Sequence, residues 1–157
     1  MSVGCIHTYV TLIGKVSISE DGEGRVDGVF LPGSNLPPRE DRETEAIREA
    51  ERQISGYLAG KRKEFDIPLA LSGTDFQMAI WREIGKIPYG RTISYAELAR
   101  NAGREKAFRA AGTACGANPI SIIIPCHRVI NSSGAMDKYG GGAALKKRLI
   151  ELERDSS

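Results

Sequence analysis

The chain has 157 residues, 41% of them apolar, and a formal net charge of +2, which is material for one ordinary domain or two small ones with a packed core. No apolar run approaches the ~20 residues that span a bilayer, and the start, Met-Ser-Val-Gly-Cys-Ile-His, has no basic region followed by an apolar stretch. The expectation is therefore a soluble protein of the cytoplasm, or of the nucleus in a eukaryote, with no membrane partner.

The charge is uneven. Residues 1–70 hold 9 Lys/Arg against 12 Asp/Glu and residues 71–157 hold 13 against 8, so the second part is the one compatible with a phosphate backbone. In chain order, Tyr9 to Ser19 shows a broken apolar alternation, Val26 to Leu31 repeats it, and Asp21-Gly22-Glu23-Gly24 reads as the turn of a hairpin. Pro32 to Pro38 is loop. From Thr44 to Leu58 the residues Ile47, Ala50, Ile54, Tyr57 and Leu58 recur on one helical face, which Gly60 ends. Phe65 to Leu71 is a candidate short strand, and the Leu-Ser-Gly stretch after it a candidate boundary between an α/β scaffold, residues 1–72, and a second domain, residues 73–157. Cys5 and His7 are the only candidate metal ligands of the first part, and two ligands do not close a tetrahedral zinc site, so no metal is expected. Three cysteines spaced 110 and 11 residues apart match no disulfide framework, which fits a reducing compartment.

The second part opens with Asp75 as N-cap of a helix carrying Phe76, Ile80 and Ile84 on one face, stopped at Ile87-Pro88-Tyr89-Gly90. Ser94 caps a short helix over Tyr95 to Asn101, with Glu97 at the capping-box position. Gly103 breaks the chain before a second short helix, Glu105 to Cys115. Two such helices joined through a glycine form a helix-turn-helix pattern, which binds DNA in some proteins and only packs in others. Ile122, Ile123 and Ile124 are β-branched and too few for a helix, so they read as a buried strand that Pro125 ends. A glycine-rich loop at Tyr139-Gly140-Gly141-Gly142 leads to a last helix, Ala143 to Glu153, with Leu145, Leu149 and Leu152 inward. The whole reads as a mixed α/β (α+β) fold, a scaffold with a small antiparallel sheet followed by a mainly helical domain.

That strand presents Cys126 beside His127. Neighbouring side chains on an extended strand point to opposite faces, so the two either meet across a turn of the backbone or communicate through a water. The plain alternative is a buried structural cysteine. The full string Pro125-Cys126-His127-Arg128-Val129 behind an isoleucine-rich run, preceded by Arg109-Ala110-Ala111-Gly112 and by Asn118-Pro119, resembles the O6-alkylguanine-DNA alkyltransferases, densely from about Phe76 to Glu153.

The resemblance implies a DNA repair protein that moves a methyl or other alkyl group from O6 of guanine in double-stranded DNA to its own Cys126, irreversibly and once per molecule, as a monomer and without a cofactor. It implies His127 as base, oriented by Glu153, with Glu151 as the neighbouring alternative, and Tyr95 as proton donor to the departing guanine. It implies DNA contacts from Ser94, Arg109, Ala110, Ala111, Gly112, Asn118 and Arg128. The second helix of the pair would enter the minor groove, with Arg109 filling the place of a flipped nucleotide. The implied substrate pocket is Val129, Met136, Tyr139, Gly140 and Lys146. Asp137-Lys138, Ser121 and Gly116-Ala117 depart from the family's usual residues, which bears on pocket breadth and DNA affinity. Two rival classes stand beside this one. A DNA-binding relative without the chemistry would lack Cys126, and a cysteine hydrolase would use Cys126 and His127 together with an oxyanion hole.

Overall fold

The computed structural model describes residues 3–133 and 139–156. Its contacts divide the chain into two units, one taking the chain up to Leu71 together with Pro119–Ile123, the other taking Ser72–Asn118 and the chain from Ile124 onward. A single cut at 72/73 does not describe that division, because five later residues return to the first unit. Among the described residues no helix is long and apolar enough to cross a membrane.

In the first unit, β1 (Cys5–Thr11) and β2 (Gly14–Glu20) pair antiparallel from Cys5 opposite Glu20 to Thr11 opposite Gly14, and β3 (Val26–Phe30) pairs antiparallel with β2. The break in the Tyr9–Ser19 alternation is thus a turn of its own, with Gly14 at φ 103° and the Thr11 hydroxyl donating to the Gly14 carbonyl at 2.7 Å. A two-residue β4 (Glu40–Asp41) lies parallel to β1 and completes the sheet order β3-β2-β1-β4. Then α1 (Glu45–Leu58), N-capped by Thr44, turns its buried Ile47, Ala50, Ile54 and Tyr57 toward β1 and β2. Phe65–Leu71 does not form the strand expected. Only Leu69 bridges to Val26, and Pro68 next to it has no N–H with which to extend a ladder. His7 Nδ1 lies 2.7 Å from Asp41 Oδ1.

The isoleucine run also departs from expectation. Ile120 bridges to Val29, but Ile122 takes φ 73° and Ile123 N–H donates to the Ser121 carbonyl at 2.8 Å. This is a γ-turn with positive φ, a costly conformation for a β-branched residue. The run is buried, as its composition demands, but bent. Burial of Ile120, Ile122 and Ile124 holds the bend in place of a ladder.

In the second unit, α2 (Asp75–Ile84) is capped by Thr74, not Asp75. Thr74 Oγ1 accepts from Gln77 N–H and Gln77 Oε1 accepts from Thr74 N–H, a reciprocal capping box, while Asp75 sits one residue inside. Ile80, Trp81 and Ile84 are buried, and Trp81 Nε1 donates to the Ala114 carbonyl at 2.9 Å. A short β5 (Ile93–Ser94) leads into α3 (Tyr95–Asn101), where Ser94 Oγ accepts from Glu97 N–H. Gly103, at φ 73°, turns the chain. Next, α4 (Phe108–Gly116) starts three residues later than expected, because Ala107 N–H closes a turn onto the Arg104 carbonyl first. Helices α2, α3 and α4 pack on one another. The chain then forms a 3₁₀ turn (Cys126–Arg128), β6 (Val129–Ile130) parallel to β5, and α5 (Ala143–Ser156).

A Cβ on Gly73 would lie 2.7 Å from Trp81 Cζ3 and 2.8 Å from Gln77 Oε1, closer than real contacts allow, and Trp81 is anchored. Gly73→Ala is expected to lower stability by ~1–3 kcal/mol, read as a lower denaturant midpoint at unchanged slope.

Candidate active site

Two tight turns aim the cysteine. Cys126 N–H donates to the Ile124 carbonyl at 2.8 Å across Pro125, whose φ of −82° and ψ of 64° make an inverse γ-turn, and Arg128 N–H then donates to the Pro125 carbonyl at 2.9 Å. Proline fits here because its ring fixes φ and no N–H is required of it. The backbone therefore does turn between Cys126 and His127, in place of the extended strand that would separate them. Asn118 Nδ2 donates to the Ile124 carbonyl at 2.8 Å, clamping the residue from which the turn starts. Beyond the turn, Val129 pairs with Ile93 and Ile130 with Ser94. That two-residue bridge fixes the start of α3, and with it Tyr95, against the strand leaving the cysteine turn.

Behind the cysteine lies a buried charge network. His127 Nε2 is 2.6 Å from Glu153 Oε2. Arg128 donates from Nε to Glu153 Oε1 at 2.8 Å and from Nη2 to Oε2 at 3.1 Å, and Gly90 N–H donates to Oε1 at 3.0 Å. The Arg128 Nη1 donates to the Ile87 carbonyl at 2.6 Å, and its guanidinium lies 5.6 Å from the Tyr89 ring centroid. Since the carboxylate accepts, Nε2 carries the imidazole proton and Nδ1 keeps the lone pair. Burial pushes the His127 pKa below its ordinary value, the Glu153 hydrogen bond opposing, which favours the neutral ring.

Cys126 is 7% exposed. Burial raises its thiol pKa, while a hydrogen bond from Asn118 and the charge of Lys146 pull it down. Lys146 is itself 1% exposed, with Nζ 3.4 Å from the Tyr95 hydroxyl and 5.6 Å from the ring centroid. The Tyr139 ring meets His127 edge-on at 6.5 Å, and burial drives its phenol pKa upward. Cys115 donates weakly from Sγ to the Cys126 carbonyl at 3.9 Å. Among the described residues no three His, Cys, Asp or Glu side chains gather as a metal site.

The expected residues sort unevenly over this site. Cys126, His127, Glu153, Tyr95, Lys146, Asn118 and Val129 lie in or beside the turn and its network. Glu151 does not; it is 4.0 Å from Lys147 on the outer side of α5. Arg128, expected on DNA, is 7% exposed and spent on Glu153. Ala111 is fully buried and faces the helix packing instead of a groove. Arg109 and Ala110 are exposed, and Gly112 packs near the Tyr95 ring, where a Cβ would sit 3.7 Å from Cδ1. Gly140 is exposed. Met136 and Asp137 lie outside the described residues. The inward face of α5 is Lys146, Leu149 and Glu153, with Leu145 and Leu152 only half-buried. A helix face that repeats at three and seven residues and carries two opposite charges was the available signal for that rotation. Tyr89, Gly90 and the Ile87 carbonyl, which hold the network, had been read only as a helix stop. A cavity of about 350 Å³ opens beside α4, lined by Tyr95, Ala96, Phe108, Arg109, Gly112, Asn131 and Ser132.

Comparison with known proteins converges on one family. Residues 75–155 match the 6-O-methylguanine DNA methyltransferase, DNA binding domain. A methylated-DNA–protein-cysteine methyltransferase of Methanosarcina acetivorans is 42% identical over 144 residues, 90% of this chain and 92% of that protein. The inducible one of Bacillus subtilis is 43% identical over 128 residues, 81% of this chain and 69% of that protein. The crystal structure of Mycobacterium tuberculosis OGT in complex with DNA superposes with a TM-score of 0.91 at 38% identity, covering 98% of this chain and 94% of that one.

Removing one partner of a buried ion pair typically costs ~3–5 kcal/mol. Arg128→Ala is expected to destabilise the protein on that scale, measured by chemical denaturation. A variant that kept full stability and lost only DNA affinity would return Arg128 to the surface.

Proposed function

Because the chain belongs to the methylated-DNA–protein-cysteine methyltransferase family, and its activity is transfer of an alkyl group from O6 of guanine in DNA to a cysteine, we propose that Cys126 is the acceptor and that His127, Glu153, Tyr95 and Lys146 serve it. The observation that carries this reading is the 2.6 Å contact between His127 and Glu153 directly behind a cysteine held in a tight turn.

An alkyl ether on an aromatic ring is a poor electrophile, and a buried thiol with a raised pKa is a poor nucleophile. His127 Nδ1 takes the Cys126 proton through a bridging water, and Glu153 stabilises the imidazolium that results. The thiolate attacks the alkyl carbon; the S–C bond forms as the O–C bond breaks. The electron pair goes to the guanine, which takes a proton from the Tyr95 hydroxyl. The Lys146 ammonium beside that oxygen offsets the charge left on it and lowers the cost of the thiolate. A thioether has no route back, so the reaction runs once.

DNA engagement falls to α3 and α4. The target atom is inside the duplex, so the nucleotide must be flipped out of the stack. Arg109, exposed on α4, fills the gap, while Ala110 and Gly112 let the helix approach the minor groove closely. A reduced thiol requires a reducing compartment, which the cytoplasm supplies.

Incubation with a duplex containing O6-methylguanine should add one methyl group per protein by mass, located on Cys126. Cys126→Ser should bind the duplex and gain nothing. A sustained rate beyond one group per molecule, or methyl on another residue, would falsify the assignment.

Lys146→Met removes a charge that lowers the Cys126 pKa. Its rate with free O6-benzylguanine should rise with pH along a profile displaced to higher pH than the wild type's. Superimposable profiles would mean the ammonium does not act on the thiol.

A further inference from the structure

The helix that reaches DNA opens with an oddity. Phe108, the first residue of α4, is 47% exposed, and among the described residues it is the only large apolar side chain of the second unit that is so exposed. An aromatic ring left in water forgoes burial that the α2–α3–α4 packing would otherwise provide. Its neighbour is Arg109, whose guanidinium carbon lies 5.8 Å from the ring centroid, so the two planar groups stand together at the tip of the helix. Both border the 350 Å³ cavity that Tyr95 and Gly112 also line.

Resting on the alkyl-transfer reading above, we propose that Phe108 is a DNA wedge that works beside Arg109, its ring stacking on the base that flanks the extracted guanine. The physical reasons are specific to the ring. Pulling out a nucleotide bares one face of each of its two neighbours and orphans its partner base, and one arginine cannot cover all three. A phenyl ring is flat and apolar, matches a base face without reading its sequence, and belongs to the class of side chains that pry base steps apart from the minor groove. The cation–π contact holds the guanidinium against the ring, which orders the pair before DNA arrives. Phe108 touches no reacting atom and is a positioning residue.

The test compares Phe108→Ala, Phe108→Leu and Phe108→Trp with wild type, on an O6-methylguanine duplex and on the same strand unpaired. Exposure makes the substitutions mild for folding, which thermal melting checks. Stacking lost at one base predicts a fall of about tenfold or more in the second-order rate of Phe108→Ala on duplex, with a much smaller fall on the single strand. Phe108→Trp should stay near wild type and Phe108→Leu between. In the Cys126→Ser background, 2-aminopurine placed beside the lesion should brighten on binding, and that gain should shrink when Phe108→Ala is added. Equal losses on duplex and single strand, a duplex rate for Phe108→Ala equal to wild type, an unchanged 2-aminopurine signal, or a Trp variant as poor as Ala would each overturn the wedge. A wild type that takes no methyl from either substrate would instead overturn the alkyl-transfer reading itself.

Discussion

The second unit depends on the carboxylate of Glu153. Its two oxygens accept from His127 Nε2, from Arg128 Nε and Nη2, and from the backbone N–H of Gly90. These donors come from the loop after α2 and from the cysteine turn, while the acceptor comes from α5, so one side chain ties three separate stretches of chain to a common point. Burying such charges brings little net stability against a well-packed apolar alternative. What it brings is position. In the observed arrangement the carboxylate satisfies all these donors together, and its contact with Nε2 gives the imidazole a defined tautomer.

The same arrangement separates two jobs that a surface site would blur. Arg128 neutralises the carboxylate and anchors to the Ile87 carbonyl, so Glu153, the most buried acid among the described residues, does not need the imidazole to be charged. Burial then holds the His127 pKa below its ordinary value, which favours the neutral imidazole. Lys146 supplies a cation whose charge lowers the Cys126 pKa and whose Nζ lies 3.4 Å from the Tyr95 oxygen. His127, Tyr95 and Lys146 are thus held by different elements, the cysteine turn, α3 and α5.

Much of this was legible in the residues. The helix face of α1, Ile80 and Ile84 of α2, the Ser94 cap and the paired short helices followed from apolar spacing and capping chemistry, because those patterns are local, though the buried Trp81 was not on the expected face. The Cys126–His127 pair and Glu153 were legible through the motif around them. Besides the missing strand at Phe65–Leu71 and the shifted α2 cap, three features were not. The isoleucine run looked like a strand because composition reports burial and not φ, and nothing in three isoleucines announces a γ-turn at Ile122. The rotation of α5 was hidden because leucines are the ordinary inward residues, whereas here Lys146 and Glu153 turn inward to meet partners distant in sequence. Arg128 was expected on DNA from the resemblance alone; its commitment to Glu153 exists only once α5 is folded against the turn.

The return of Pro119–Ile123 to the first unit has a consequence for how the protein is made. A chain leaves the ribosome from its N-terminus, and domains generally fold in that order. Here the sheet of the first unit lacks the segment that bridges Val29 until Ile123 has emerged, after the whole of Ser72–Asn118. The nascent first unit therefore waits, with β3 short of one neighbour, while helices of the second are already being synthesised. Neither half is a finished product of its own stretch of messenger, and the active-site turn begins at the residue after the one that completes the scaffold.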